Sequence, residues 1–122
     1  MNPEDLKRRT KAFAARIIKM VRALPKDIVG REIGKQELRS GTSVAANYRS
    51  ACRARSDADF IYKIKVAEEE SDETQLWLEL IVDIELLPAK RISSLLKEAS
   101  ELTAMLTASG KTSRINKQVR KR

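Results

Sequence analysis

The 122-residue chain has no histidine, one cysteine, three prolines, four glycines and few aromatic residues. Without histidine, most metal-ligating and acid–base constellations are out of reach. Even the di-iron site of ferritin-like bundles draws a Glu-x-x-His pair from each of two helices. Neither catalysis nor a bound metal or cofactor is therefore expected. Cys52 has no partner for an internal disulfide, and the N-terminus lacks the apolar core of a signal peptide. No segment reaches the roughly 18 unbroken apolar residues of a membrane span. The expected compartment is the reducing cytoplasm, with no membrane partner.

What remains is a composition of soluble helices: 42% hydrophobic, 34% charged and net +8. The length fits one domain. Between Asp57 and Leu87, Phe60, Ile64, Ala67, Ser71, Thr74, Leu78 and Ile81 recur at steps of four and three, which holds one helical face against a neighbour. Beside them runs a second stripe, Val66, Glu70, Glu73, Trp77, Leu80 and Ile84, wider than one neighbour covers. Ten acidic residues against two basic ones make this stretch net −8 inside a basic protein. Charge must be segregated along the chain.

Asn2-Pro3-Glu4-Asp5 reads as an N-cap, a first-position proline and an acidic first turn. The helix that follows, to about Ala23, has Leu6, Phe13, Ile17, Met20 and Leu24 on its apolar face and is otherwise basic. Pro25 turns the chain into a second basic helix, about Asp27 to Ala54, whose buried side is expected to carry Ile28, Val29, Ile33, Leu38, Val44, Ala45, Tyr48 and Cys52. At Arg39-Ser40-Gly41-Thr42-Ser43 two readings stand, with the helix continuous overall in either: a kink or short break, or a patch of small residues, continued by Ala45 and Ala46, that admits a second backbone. After Pro88 a fourth helix runs to about Ser109 with Ile92, Leu95, Leu96, Ala99, Leu102 and Leu106 inside, and Gly110 is a good C-cap. Residues 111–122 hold six basic and no acidic residues, a composition that predicts disorder in isolation.

Short connections between four amphipathic helices predict an all-α, antiparallel up-down-up-down four-helix bundle over residues 1–110, followed by a basic, disordered tail over 111–122. Three functional features stand out. Glu70 and Glu73 share a stripe with apolar residues and need cations or donors, for which Arg39, Arg49 and Arg53 are candidates, with Asn47 and Tyr48 as additional hydrogen-bonding groups. An interhelical polar network is the preferred reading, and a ligand or catalytic site the second. Trp77, Leu80 and Ile84 extend the apolar girdle of the third helix beyond intramolecular needs and fit a subunit interface. Trp77 and Tyr48 are read as core or subunit contacts ahead of base-stacking platforms. Finally, Lys7, Arg8, Arg9, Lys11 and Arg16, with Lys111, Arg114, Lys117, Arg120, Lys121 and Arg122 of the tail, are the candidate nucleic-acid contacts, since clustered cations gather phosphates through counterion release.

The run Arg39-Ser40-Gly41-Thr42-Ser43-Val44-Ala45-Ala46-Asn47-Tyr48-Arg49, with Ala58-Asp59-Phe60-Ile61-Tyr62-Lys63 and Glu70-Ser71-Asp72-Glu73-Thr74-Gln75-Leu76-Trp77-Leu78-Glu79-Leu80, resembles the bacterial four-helix-bundle proteins of 23S ribosomal RNA intervening sequences. The resemblance extends to about Gly110. It implies a cytosolic bundle that assembles into a ring-like homopentamer and a nucleic-acid role. A related branch is the accessory variability protein of diversity-generating retroelements, a basic pentamer that works with a reverse transcriptase and RNA. The function expected is thus a non-enzymatic, homo-oligomeric nucleic-acid-binding protein. The alternative is a protein-interaction scaffold or accessory subunit for a reverse transcriptase that does not itself touch nucleic acid.

Overall fold

A computed structural model describes residues 2–121. Four helices account for nearly all of them: α1 (Pro3–Val21), α2 (Ile28–Ala51), α3 (Asp57–Asp83) and α4 (Ala89–Lys121), with no strand among the described residues. Each helix packs on the next in sequence and α1 also packs on α4, while the backbones of the diagonal pairs, α1 with α3 and α2 with α4, stay farther apart among the described residues.

The helix starts follow local chemistry. The Asn2 side chain accepts from the Asp5 amide at 2.9 Å, and the Asp5 carboxylate accepts from the Asn2 amide, a reciprocal capping box. Asp27 and Ser56 cap α2 and α3 by accepting from the Gly30 and Asp59 amides. The end of α3 is built differently. The Leu86 amide donates to the Ile81 carbonyl and the Glu85 amide to that of Val82, with Glu85 left-handed at φ 58°. This is the six-to-one and five-to-two pairing that usually recruits glycine at the left-handed position.

The inner face of α3 carries the residues its spacing predicts: Ile64, Ala67, Ser71, Thr74, Leu78 and Ile81 are all buried. The inner face of α2 does so only in part. Val44 and Tyr48 are buried as expected and Ile33, Ala45 and Cys52 are half-buried, but Ile28 is 85% exposed, and Val29 and Leu38 also face water. The full buried stripe is Gly30, Gly34, Glu37, Gly41, Val44, Tyr48 and Ala51, at steps of four and three, with Ser40 beside them. The reason is close approach. A Cβ at Gly41 would lie 2.8 Å from Cγ2 of Ile17, and one at Gly34 would lie 3.2 Å from Cγ1 of Val21. At Gly41 the helix continues unbroken, which excludes a break there, and the close approach of Ile17 is what the small-residue reading of that segment expects.

The tail also departs from expectation. Gly110 does not end α4; the helix passes through it and continues to Lys121, where disorder was expected, and Arg122 lies outside the described residues. Gly110 is buried, and a Cβ there would lie 3.2 Å from Cγ2 of Ile64. Further on, Arg120 forms an ion pair with Asp57 in the first turn of α3. The neighbouring helix supplies the contacts that composition alone did not promise.

Within the α2 stripe, Glu37 is fully buried and neither of its carboxylate oxygens has a hydrogen-bond partner. Burial, with a smaller contribution from the charge of Glu73, pushes its carboxyl up to about 9, so the folded protein carries it neutral at pH 7. Unfolding lets it ionise near its ordinary value of 4.5. A raised folded value means that the unfolded chain binds fewer protons between these limits. This contribution is fully present below pH 4.5 and falls by about 1.4 kcal/mol per pH unit until it is lost near pH 9. Glu37→Met should therefore raise the melting temperature at pH 7 and flatten the decline of stability between pH 5 and 9, as read by thermal denaturation across pH.

Candidate nucleic-acid interface

Helix geometry divides the cations of α1 between two sides. Arg9 turns toward α4, where its Nε donates to Glu98 Oε2 at 3.0 Å and its Nη2 to Glu101 Oε1 at 3.0 Å. The hydrogen bond to Glu98 is the main reason that the guanidinium is held above its ordinary range. Arg16 lies on the same side and donates to Ser94 Oγ at 2.7 Å. Lys7, Arg8 and Lys11 border α2 instead. Lys7 pairs with Glu4 at 3.0 Å and Arg8 with Asp5, both three residues apart on the helix surface. Exposed pairs of this kind are worth a few tenths of a kcal/mol and yield readily to a phosphate.

The outer face of α2 supplies what the sequence reading left aside. Arg31, Lys35, Arg39, Thr42, Ala46, Arg49 and Arg53 follow one another at steps of three and four, so five cations share one stripe around two small residues. All five are exposed. Two clefts flank the stripe. Between α1 and α2, Glu4, Lys7, Arg8 and Lys11 face Ala45, Ala46 and Arg49. On the other side, Ala46, Arg49, Ser50, Arg53 and Arg55 face Asp59 and Lys63 of α3. Ala46 and Arg49 belong to both. At about 900 Å³ the second cleft has the size of a small-molecule pocket, but such pockets are mostly apolar. Four cations and one carboxylate suit a polyanion. That carboxylate, Asp59, is tied to Lys63 at 3.1 Å, and this hydrogen bond is the first reason that it is held below the usual range.

Arg39 leaves the stripe to bridge α3: its Nη1 donates to Glu70 Oε2 at 2.9 Å and its Nη2 to Glu73. Trp77 Nε1 also donates to Glu73, at 3.3 Å. Arg39, Glu70 and Glu73 are thus brought together, while the other expected members lie elsewhere. Asn47 donates back to the Ser43 carbonyl at 2.9 Å, Tyr48 is buried beside Cys52, and Arg49 points into the clefts. Tyr48 is excluded by burial from stacking on a base. Trp77 and Leu80 are half-buried, and Ile84 is 48% exposed.

Of the tail cations, Lys111, Arg114, Lys117, Arg120 and Lys121 ride the last turns of α4, and Arg122 lies outside the described residues. They stand at the end of the fold where Pro3, Cys52, Arg55, Asp57 and Ser109 line one cleft. Among the described residues, no group of three or more His, Cys, Asp or Glu is placed to hold a metal ion, and no helix is long and apolar enough to cross a membrane.

The family model for 23S rRNA-intervening sequence protein matches residues 4–108. A crystal structure from Bacteroides thetaiotaomicron, described as a protein of unknown function from the S23 ribosomal protein family, is 37% identical and superposes with a TM-score of 0.81. The match covers 87% of this chain and 98% of that one. No curated protein matches this chain.

The two arginine bridges differ in solvation, with the Arg9 side chain 28% exposed and that of Arg39 51%. Each arginine holds two carboxylates, so the difference lies in the guanidinium: Arg9→Ala, which removes the less exposed one, should cost about 1–2 kcal/mol, whereas Arg39→Ala should cost under about 1 kcal/mol after solvent screening. Urea denaturation of the two variants measures the difference.

Proposed function

This chain belongs to the 23S rRNA-intervening sequence protein family, and we propose that it is a non-enzymatic, cytoplasmic homo-oligomer that holds nucleic-acid phosphates on the basic face shared by α1 and α2. The observation that carries this reading is the position of Arg49, common to two clefts that together gather Lys7, Arg8, Lys11, Arg53, Arg55 and Lys63. A backbone laid across α2 meets cations on both sides and small side chains in between. The subunit in this reading is an up-down-up-down bundle, and the tail cations of α4 add a second set of phosphate contacts.

The assembly that completes the proposal is a pentamer joined through Trp77, Leu80 and Ile84, which keep apolar surface facing outward. A second reading has its own support. The outer face of α3 carries Glu69, Asp72, Glu79 and Asp83 exposed around Leu76, a surface that repels phosphates and suits a basic protein. In that reading the chain is a scaffold, such as an accessory subunit of a reverse transcriptase.

Fluorescence anisotropy with labelled RNA over a range of salt separates the two. Phosphate binding should weaken with salt at a slope of about 0.7–0.9 per contact. Arg49→Glu with Arg53→Glu should lower affinity about tenfold or more and reduce the slope by about two, while Arg9→Ala leaves both unchanged. Absence of binding at low salt returns the scaffold reading. Light scattering should give the mass of five chains, falling to smaller species in Leu80→Glu with Ile84→Glu; a monomeric mass for the unmodified protein removes the assembly.

A further inference from the structure

The described residues include five aromatic side chains, and the fold treats one of them differently. Phe13 and Tyr48 are buried, Phe60 packs against the core, and Trp77 is half-buried with its indole N–H on Glu73. Tyr62 is 67% exposed. Its place in α3 is the point of interest. It follows Asp59 by three residues and precedes Lys63 by one, and those two residues form the α3 wall of the larger basic cleft. Residues three apart are neighbours on a helix surface, so Tyr62 adjoins Asp59 on the solvent side of that wall, just outside the cleft's own lining. Across the cleft lie Arg49, Arg53 and Arg55.

Cations alone take the phosphates of duplex and single strand alike, since they read charge and not bases. An aromatic ring beside a cationic cleft adds a term that only an unpaired base can use, because the faces of paired bases are already stacked within the duplex. We propose that Tyr62 is a stacking platform for an unpaired base of a strand whose phosphates lie on Arg49, Arg53, Arg55 and Lys63, so that the preferred ligand is single-stranded nucleic acid. The inference rests on the phosphate-binding reading and narrows it. Every base presents a π-face, so the contact favours strand state with little selection among sequences.

The test compares a labelled single-stranded oligonucleotide with a duplex of the same length by anisotropy, using the full chain and three variants. Tyr62→Ala should weaken single-strand binding about 5- to 150-fold and leave duplex binding unchanged. Tyr62→Phe, which keeps the ring, should retain single-strand affinity. Light scattering of Tyr62→Ala should give the unmodified mass. Equal losses on both ligands, no loss on either, or a changed mass overturns the stacking role, the last by assigning Tyr62 to a subunit contact. Arg49→Glu with Arg53→Glu isolates the underlying reading. If it loses binding while Tyr62→Ala does not, stacking alone falls; if it binds as well as the unmodified chain, the phosphate site falls and stacking with it.

Discussion

The structure depends on how closely α1 approaches α2. Ile17, fully buried, occupies the space that a side chain at Gly41 would fill, and Val21 and Leu24 do the same at Gly34. With glycines at these positions, α2 contributes little apolar bulk of its own, and the volume comes from α1. The consequences reach the outer surface. Once the steps of four and three from Gly30 to Ala51 are committed to the interior, the remaining geometry of α2 is fixed, and its cations emerge together as one exposed stripe. The interior and the basic face are two sides of one register.

The same register places Glu37 inside. A fully buried carboxyl without a hydrogen-bond partner is an unfavourable occupant of a core. It persists neutral because the proton costs less than desolvating the charge. Ser40, a turn away, shows how the same interface handles polar groups when partners exist: its hydroxyl accepts from Thr74 at 3.0 Å. Around the rim, Arg39 draws Glu70 and Glu73 against α2. The interface of α2 and α3 thus grades from a neutralised acid inside, through hydroxyl pairs, to ion pairs at the surface.

How much of this was legible depended on which residues carried the pattern. The inner stripe of α3 was readable because Ile64, Leu78 and Ile81 are large and apolar at helical spacing, and tertiary packing agrees with them. The inner stripe of α2 was legible at Val44 and Tyr48 and hidden at Gly30, Gly34 and Glu37, because glycine reads as a helix breaker and glutamate as a surface residue, so Ile28, Val29 and Leu38 drew attention to the wrong face there. Gly110 misled in the same way: whether a glycine ends a helix or packs inside one is decided by the neighbour, here Ile64. The cationic stripe from Arg31 to Arg53 was present in the spacing all along. Net charge by segment concealed it, because a sum discards direction around the helix, and Arg9 and Lys11 count alike although one is locked against α4 and the other borders the cleft.

Direction matters equally for the molecule as a whole. A net charge of +8 describes a sphere with weak, uniform attraction for phosphate, and this chain is nothing of the kind. The outer α2 stripe carries Arg31 and Lys35 toward one end and Arg49 and Arg53 at the other, with Arg39 tied to α3 between them, whereas exposed Glu69, Asp72, Glu79 and Asp83 make the outer α3 surface anionic. The two surfaces belong to adjacent helices. A Debye length of about 8 Å at physiological ionic strength is comparable to the 8–10 Å between packed helix axes, so each face keeps its own potential near contact. The two faces thus differ in the sign of their potential. The boundary between them falls at the cleft between Arg53 and Lys63, where the cationic face ends and the acidic helix begins.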